Sequence, residues 1–290
     1  MTAIGKRILL SYGVRRFVHV VEEKVPFVRA WHQFAYTLHF EESSPNARMF
    51  RGVYRSVTEA SAAAPASLPT GHDHANLALR HASDIGHTWP SDYPILFWLK
   101  GTLPESTSVF DLGGSVGNHY YTFQKYLTYP QDLRWVVCEV PAVAQAGRDL
   151  VQSTGVEGLH FTVHCEEADG SDIFLASGVL PFIDPPLAEL LSRLRRRPKY
   201  LLINRAALSG DPAFVTLHNL GQAVCPYRIL NRHEFIRSLE GIGYRLVDSW
   251  ENPEFSCYIP FHADKTVRAY SGFYFRLSDT AATLTLKGSL

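Results

Sequence analysis

An acidic residue and a glycine-rich turn occur together in the segment VFDLGGSVGNHYY. Asp111 comes just before the glycines, which are Gly113, Gly114 and Gly117. A helix is predicted to begin near Asn118. A glycine turn between a strand and a helix lets a ligand approach the backbone closely, because no Cβ atoms stand in the way. This arrangement is typical of a site for a nucleoside cofactor.

The charge next to the turn separates two cofactor classes. Dinucleotides prefer the pattern G-x-G-x-x-G, with the pyrophosphate at the helix N-terminus. Here the first two glycines are adjacent and an acid precedes them. An acid at the mouth of the turn repels a pyrophosphate and suits a ligand with a positively charged amino group. S-adenosylmethionine (SAM) has such a group and a sulfonium as well, so Asp111 favours SAM over NAD.

A second acid ends the next apolar run, WVVCE, at Glu139. A carboxylate at the tip of the second strand can accept hydrogen bonds from both ribose hydroxyls. NAD sites and SAM sites share this feature. Glu139 therefore indicates a nucleoside without choosing between the two.

Short apolar runs that alternate with helical segments must position these residues. Five runs are predicted to be strands: 108–112, 134–139, 159–164, 173–177 and 200–204. This βαβ rhythm predicts an α/β, Rossmann-like, mostly parallel sheet with helices on both faces. Two later runs, 244–250 and 272–277, have no helix between them and predict an antiparallel edge. Ligands of such sheets lie beyond the carboxyl ends of the strands.

The first part of the chain differs from the rest. Phe27, Trp31, Phe34 and Leu38 recur at helical spacing, and no clear strand alternation is seen before residue 105. We expect residues 1–105 to form a mainly helical N-terminal cap that lines the substrate site or mediates a homodimer. Residues 106–290 are expected to form the cofactor-binding domain.

The segments FDLGGSVGNHYY, WVVCEVP, DIFLASGVLPFIDPP and YLLINR follow the order of the motifs of class I SAM-dependent methyltransferases, which the chain resembles. More narrowly, it resembles a family of methyltransferase-like proteins in which F-x-G-x-Y-x-S-x-x-E-A precedes the SAM motif. FRGVYRSVTEA is the matching segment here, and CPYRILNRHEF and GIGYRLVDSWE fit as well. The likeness covers roughly residues 50–277.

The resemblance implies roles for several residues. The group expected to line the methionine part of SAM is Asp111, Gly113, Gly114 and Gly117, with Asn118 where the helix begins. Glu139 is expected to hold the ribose. Ser177 and Gly178 would border the sulfonium, since two small residues leave room for the cofactor.

The resemblance also places Glu167 near the adenine, with Glu166 or Asp169 as alternatives.

The chain is similar to small-molecule O-methyltransferases through DLGG and CEVPAV. Those enzymes usually carry a catalytic histidine after the fourth strand. The matching stretch here is 179–182, Val-Leu-Pro-Phe, which has no histidine. A general base, if one is used, must come from elsewhere.

Candidates for the acceptor side follow the fifth predicted strand. Methyl transfer is an in-line displacement that depends on alignment, and a base helps when a hydroxyl must lose a proton. His218, in a predicted loop, is the first candidate for a base or an orienting group. Arg205 can hold an acidic acceptor or pair with an internal carboxylate. Tyr121, or its neighbour Tyr120, can contact SAM or acceptor, or simply pack.

Composition narrows the classes of partner. Lys+Arg and Asp+Glu both number 28, and this zero net charge gives no reason to expect nucleic acid or an anionic membrane. The four cysteines form no CxxC pair, so no zinc site is indicated. Cys138 and Cys165 are expected to pack as small apolar groups. No signal peptide or membrane span is visible, which predicts a cytoplasmic protein.

One further cluster raises the question of a metal. His72, Asp73, His74 and His81 lie close in sequence. No second cluster reinforces them, and Asp73 near a helix start is explained more simply by the helix dipole. We expect no metal.

The sequence thus predicts a SAM-dependent methyltransferase for a small molecule, with oxygen as the first choice of accepting atom and nitrogen as the second. The dense aromatic segments favour a lipophilic or aromatic acceptor over a polymer, and we expect a role in secondary metabolism. Two alternatives stay open: an NAD-dependent oxidoreductase, and a non-catalytic methyltransferase-like binding protein.

Overall fold

A computed structural model of the protein describes residues 26–42, 49–73 and 83–278. The strands are β1 (Met49–Tyr54), β2 (Ser108–Leu112), β3 (Arg134–Cys138), β4 (Leu159–Thr162), β5 (Ile173–Ser177), β6 (Tyr200–Ala206), β7 (Leu208–Ser209), β8 (Phe214–Asn219), β9 (Val224–Asn231), β10 (Tyr244–Asn252) and β11 (Tyr270–Leu277). The helices are α1 (Pro26–Phe40), α2 (Val57–Ala62), α3 (Asp92–Thr102), α4 (Asn118–Phe123), α5 (Pro141–Thr154), α6 (Leu187–Ser192) and α7 (Arg232–Glu240).

Seven strands form the main sheet, in the order β10-β11-β6-β5-β2-β3-β4. Its five strands from β6 to β4 are parallel, and β11 runs antiparallel to both of its neighbours. The predicted α/β sheet with an antiparallel edge is confirmed. From β2 the chain continues outward to β3 and β4 on one side, and β5 and β6 lie on the other. The order of connections therefore reverses between β2 and β5, which is where open α/β sheets bind ligands.

The central strands are buried on both faces, as expected of a parallel sheet covered by helices. On one face, Phe110, Val136 and Phe174 pack in an apolar cluster with residues of α6 and α7. On the other, Val109 and Trp135 pack with residues of α3 and α4. Alternate residues of each strand thus enter opposite cores, which holds the strand ends in fixed positions.

A second sheet, in the order β1-β8-β9-β7, was not predicted from the sequence. Strand β1 pairs antiparallel with β8, with Phe50 opposite His218. Strand β8 also pairs antiparallel with β9. The segment after β6 is therefore a folded strand pair rather than a loop. The division of the chain at residue 105 stays a prediction, but the first part contributes a strand to this sheet as well as helices.

Helices α4 and α6 are short. The chain leaves α4 at Phe123 and α6 at Ser192, so the basic run 193–197 that follows α6 (RLRRR) is not helical. In that run the Arg196 N–H donates to the Asp169 carboxylate at 2.6 Å, a bond that fixes a turn instead. In the ranges given above, no helix is long and apolar enough to cross a membrane.

Candidate active site

The glycine turn between β2 and α4 is packed closely against the protein itself. Gly113 and Gly117 have φ values of +71° and +94°, which favour glycine. A Cβ atom at Gly113 would lie 2.6 Å from a methyl of Val179, and one at Gly117 would lie 2.9 Å from Leu159. The missing side chains therefore serve the turn conformation and internal packing. The expectation that they leave the backbone open to a ligand is not what these contacts show.

Asp111 lies beneath the turn and not at its mouth. Its side chain is 0% exposed, with Oδ2 lying 3.0 Å from His119 Nδ1 and 3.3 Å from Trp135 Nε1. A Cβ atom at Gly114 would collide with the same carboxylate. The predicted position of Asp111, facing an incoming ligand, is wrong, because a carboxylate can be buried when two donors satisfy it.

The charge of Asp111 is also compensated. Burial lowers the pKa of His119, but the neighbouring Asp111 charge and hydrogen bond outweigh it, so the pKa of His119 is raised overall. The Asp92 carboxylate raises the pKa of His119 further, whereas the Arg205 guanidinium lowers it. With His119 protonated, the buried pair carries no net charge. Asp111 is thus satisfied by His119 and Trp135 inside the protein rather than facing a cationic ligand.

Glu139 takes up the position that Asp111 was expected to hold. It directly follows β3, and its two carboxylate oxygens accept hydrogen bonds from the Ser115 N–H at 3.0 Å and the Val140 N–H at 3.1 Å. Burial raises the pKa of Glu139 to about 6, against the lowering effect of these two bonds. Each oxygen keeps a further lone pair that can accept a ligand hydroxyl.

Three buried hydroxyls at this end of the sheet have no hydrogen-bond partner among the described residues: Ser115, Tyr121 and Ser177. Ser115 lies in the glycine turn, and Ser177 ends β5, the strand next to β2. The Tyr121 ring lies 3.2 Å from where a Cβ of Gly117 would be. A buried hydroxyl without a partner costs about 1–3 kcal/mol. The hydroxyls of Ser115 and Tyr121 lie in or beside the glycine turn, and that of Ser177 lies at the end of the neighbouring strand, so each is a polar group that a ligand at this end of the sheet could complete.

Other predicted cofactor contacts are less enclosed. Glu167, in the turn after β4, accepts from the Thr162 hydroxyl at 2.5 Å, and its side chain is 43% exposed. Asp169 is committed to the Arg196 N–H. Gly178 has a φ of +75° and donates its N–H to the Asn204 carbonyl at 2.9 Å.

Asn118 begins α4, and its N–H donates to the Gly114 carbonyl at 3.2 Å. It stands at the boundary between turn and helix that the sequence predicted.

Arg205 takes the second of the two roles considered for it. One guanidinium nitrogen lies 2.6 Å from the Asp92 carboxylate, and Nε donates to the Ser91 hydroxyl at 3.0 Å. The guanidinium also lies over the Phe255 ring, 4.9 Å from its centroid. Arg205 thus pairs with an internal carboxylate, that of Asp92, the first residue of α3.

His218 lies on β8 and not in a loop, which corrects the sequence prediction. Its ring stacks on Phe50 with 4.4 Å between centroids, as expected for directly opposed residues of two strands. Tyr227 packs edge-on at 5.1 Å, and Phe182 lies parallel at 6.5 Å. Phe182 belongs to the same turn as Val179, which contacts Gly113, so a single turn links His218 to the glycine turn.

Of the aromatic neighbours of His218, Tyr227 was considered as a possible contact from the sequence, whereas Phe50 and Phe182 were not. Phe50 lies in the matched segment FRGVYRSVTEA, and Phe182 lies in the stretch 179–182 that was compared for a histidine, so the motifs contained both residues. The motifs did not reveal that β1 pairs with β8, which brings the Phe50 and His218 rings together.

The histidine cluster does not assemble a metal site within the part of the chain that is described. No group of three metal-ligating side chains occurs there. His74 and His81 lie outside the described residues. His72 Nδ1 lies 3.3 Å from Cys225 Sγ, and Asp73 accepts from the Ala142 N–H at the start of α5 at 2.8 Å.

Comparison with known proteins gives structural likenesses only. No family model matches the chain, and no curated protein matches it. The chain is similar to the Burkholderia thailandensis 1,6-didemethyltoxoflavin-N1-methyltransferase with bound 1,6-didemethyltoxoflavin and S-adenosylhomocysteine, at 21% identity and a TM-score of 0.45 over 74% of this chain and 95% of that one.

Two further likenesses are more distant in sequence. OxaC in complex with sinefungin and meleagrin is 16% identical, with a TM-score of 0.47 over 70% of this chain and 51% of OxaC. NcsB1, an O-methyltransferase from neocarzinostatin biosynthesis, is 14% identical, with a TM-score of 0.40 over 64% of this chain and 57% of NcsB1. The chain thus spans about half the length of OxaC. Membership of the narrower family suggested by FRGVYRSVTEA stays a prediction.

Proposed function

We propose that the protein is a SAM-dependent methyltransferase that acts on a small-molecule acceptor. The observation that carries the proposal is the position of Glu139. Its carboxylate extends from the end of β3 to the glycine turn, at the point where the strand order reverses. Two buried hydroxyls without a partner in the described ranges belong to the same turn or lie beside it, those of Ser115 and Tyr121.

The residues present fit SAM. Glu139 would accept the ribose hydroxyls, while the Ser115, Tyr121 and Ser177 hydroxyls would bond to the amino-acid part. Gly178 is loosely surrounded beside the end of β5, because a Cβ atom there would meet only Arg205, at the ordinary contact distance of 3.9 Å. When bound, SAM supplies an electrophilic methyl group. The protein contributes the orientation of that group toward the acceptor.

The same contacts disfavour NAD. The Ser115 N–H is a donor of the turn that would face a pyrophosphate, and it already donates to Glu139. A pyrophosphate there would lie beside a carboxylate and be repelled by it. An acid at this strand end is common to NAD and SAM sites, so it is the occupied Ser115 N–H, and not the presence of Glu139 as such, that favours SAM.

The acceptor side is aromatic. His218, Phe50, Tyr227 and Phe182 lie together, one turn away from the proposed cofactor contacts. We propose an apolar, ring-containing acceptor, with His218 as the group that orients it or accepts its proton. Oxygen is the first choice of accepting atom, since a base is of use there, and nitrogen is the second.

Calorimetric titration with SAM, S-adenosylhomocysteine and NAD tests the cofactor. We expect both SAM and its demethylated product to bind and NAD to give no heat. Glu139→Ala should abolish binding, whereas Glu157→Ala, an exposed glutamate on another surface, should not change it. Binding of NAD in preference to SAM would overturn the proposal.

A non-catalytic binding protein is the second candidate, favoured by one observation. Val179 fills the space beside Gly113, and the Asp111–His119 pair closes the region beneath the turn. Incubation with a methyl-labelled cofactor and a panel of aromatic phenols and amines separates the two functions. Transfer of label to any acceptor supports the enzyme, and binding without transfer over the whole panel supports the second candidate.

A further inference from the structure

Two of the four cysteines lie in direct contact. The Sγ atoms of Cys138 and Cys165 are 3.6 Å apart and hydrogen-bonded. Cys138 ends β3, and Cys165 begins the 3-10 turn Cys165–Ala168 that follows β4. Because β3 and β4 are adjacent parallel strands, their carboxyl ends bring these two thiols together.

The thiol pair adjoins the proposed cofactor contacts. Cys138 immediately precedes Glu139, the proposed ribose contact, and Cys165 is two residues before Glu167, the candidate adenine contact. The Glu139 N–H also donates to the Thr162 carbonyl at 3.0 Å, so the ends of β3 and β4 are held together there. A change in the distance between the thiols would shift these contacts relative to each other.

The two thiols are not equivalent. Cys138 is buried, with 4% exposure, whereas Cys165 is partly exposed in its turn. A hydrogen bond from Cys138 lowers the pKa of Cys165, and burial and the nearby Glu166 oppose this only in part. The same contact with Cys165, together with burial, raises the pKa of Cys138. Cys165 thus has the access that oxidation requires, with a thiol beside it that stabilises its thiolate, and the buried Cys138 is placed to react second.

We propose that Cys138 and Cys165 form an oxidisable pair that closes to a disulfide on exposure to a hydroperoxide and thereby weakens binding of the cofactor. The second half of this proposal rests on the proposed function. The Cys165 thiol loses its proton, the thiolate attacks one peroxide oxygen and the O–O bond breaks, which gives a sulfenic acid and a hydroxide; the hydroxide takes up the proton that the thiol lost and forms the first water. The Cys138 thiol then attacks the sulfenic sulfur and a second water leaves. Two thiols and one hydrogen peroxide thus give one disulfide and two waters.

Closure requires movement of the turn. A disulfide has a sulfur–sulfur distance of about 2.05 Å, well short of the present separation. The β3 end is fixed by pairing on both sides, so the turn Cys165–Ala168 must approach it. Displacements on the order of 1 Å next to a site can cost up to about 100-fold in function. We expect cofactor affinity to fall about tenfold on oxidation.

Mass spectrometry tests the disulfide directly, whatever the protein binds. Reduced full-length protein is treated with stoichiometric hydrogen peroxide, alkylated and digested. We expect a loss of about 2 Da, the mass of two hydrogens, and a peptide cross-link between Cys138 and Cys165 that a thiol reductant reverses. Cys165→Ser should prevent the cross-link, and Cys138→Ala should leave a sulfenic acid that dimedone traps. Cys257→Ala, which removes a fully buried thiol elsewhere, is the matched control and should cross-link normally.

Calorimetry with SAM on the reduced, oxidised and re-reduced protein tests the consequence. The expected result is an affinity that falls about tenfold on oxidation, recovers on reduction and stays constant in Cys165→Ser. Absence of the cross-link in wild-type protein would overturn the proposal, as would equal affinities of the reduced and oxidised forms. Reduced protein that fails to bind SAM contradicts the proposed function instead, while the mass measurement still decides on the thiol pair.

Discussion

Replacement of Glu139 by glutamine separates two effects of this residue: the cost of burying its charge in the folded protein, and its contribution to cofactor binding. Burial raises the pKa of Glu139 from 4.5 to about 6. This difference corresponds to about 2 kcal/mol at a pH where the group is ionised in both states. Since the folded-state pKa is raised, the folded protein binds the proton more tightly than the unfolded chain does. The contribution of Glu139 to stability is therefore fully present below pH 4.5 and is lost as the pH rises through about 6.

Glutamine resembles the protonated form and does not titrate. In urea denaturation, the unfolding free energy of Glu139→Gln relative to wild type should therefore increase by about 2 kcal/mol between pH 4.5 and pH 7.5. One backbone bond is lost in the variant at every pH, because an amide has a single oxygen for the Ser115 and Val140 donors. That loss shifts the whole difference by about 1 kcal/mol without changing its slope.

The affinity for the cofactor should fall at the pH where the variant gains stability relative to wild type. Hydrogen bonds to a charged group contribute about 1.5–3 kcal/mol each, so Glu139→Gln should bind SAM about 100-fold more weakly or worse at pH 7.5. Glu157→Gln, at an exposed position, is the control and should match wild type in both measurements. A stability difference between Glu139→Gln and wild type that stays flat from pH 4.5 to 7.5 would refute the reasoning about burial.

Three further substitutions test other contacts. Gly117→Ala places a side chain at a φ of +94° and should lower the unfolding free energy by about 1–3 kcal/mol in urea, whereas Gly210→Ala, with open space around it, should have little effect; equal losses would contradict this. Asp111→Asn should lower the pKa of His119 in an NMR titration, because the largest influence that opposes burial is then removed; an unchanged pKa would contradict the Asp111–His119 ion pair. His218→Ala should reduce transfer to a hydroxyl acceptor about 100-fold with SAM affinity unchanged, and wild-type turnover would exclude a proton-accepting role.

The main sheet was predictable because its strands are local apolar runs. Strands such as Ile173–Ser177 lie in a fully buried layer and need no partner to be recognised. The second sheet depends instead on pairing between distant segments, and its strand Val224–Asn231 contains Pro226, which argues against a strand in local terms. The length and register of such strands are set by the strands they pair with, and a local sequence pattern does not show which strands those are.

The site was predictable in its location and less so in its orientation. Glu139 was correctly expected at the end of its strand, and it reaches the glycine turn. Asp111 was expected to face outward, because a sequence does not reveal that His119 and Trp135 supply the donors that allow a carboxylate to be buried. Direction of a polar side chain is decided by partners from other elements, and His218 was misplaced in a loop for the same reason.

The pairing of β1 with β8 has a consequence for the order of folding. Thr216 bonds to the Arg51 carbonyl from 165 positions away, and closing so long a loop carries a large entropic cost before any contact compensates it. On the ribosome, β1 emerges well before the strand that covers it. The aromatic neighbours of His218 are therefore assembled late, after the parallel strands β2 to β6 have been synthesised.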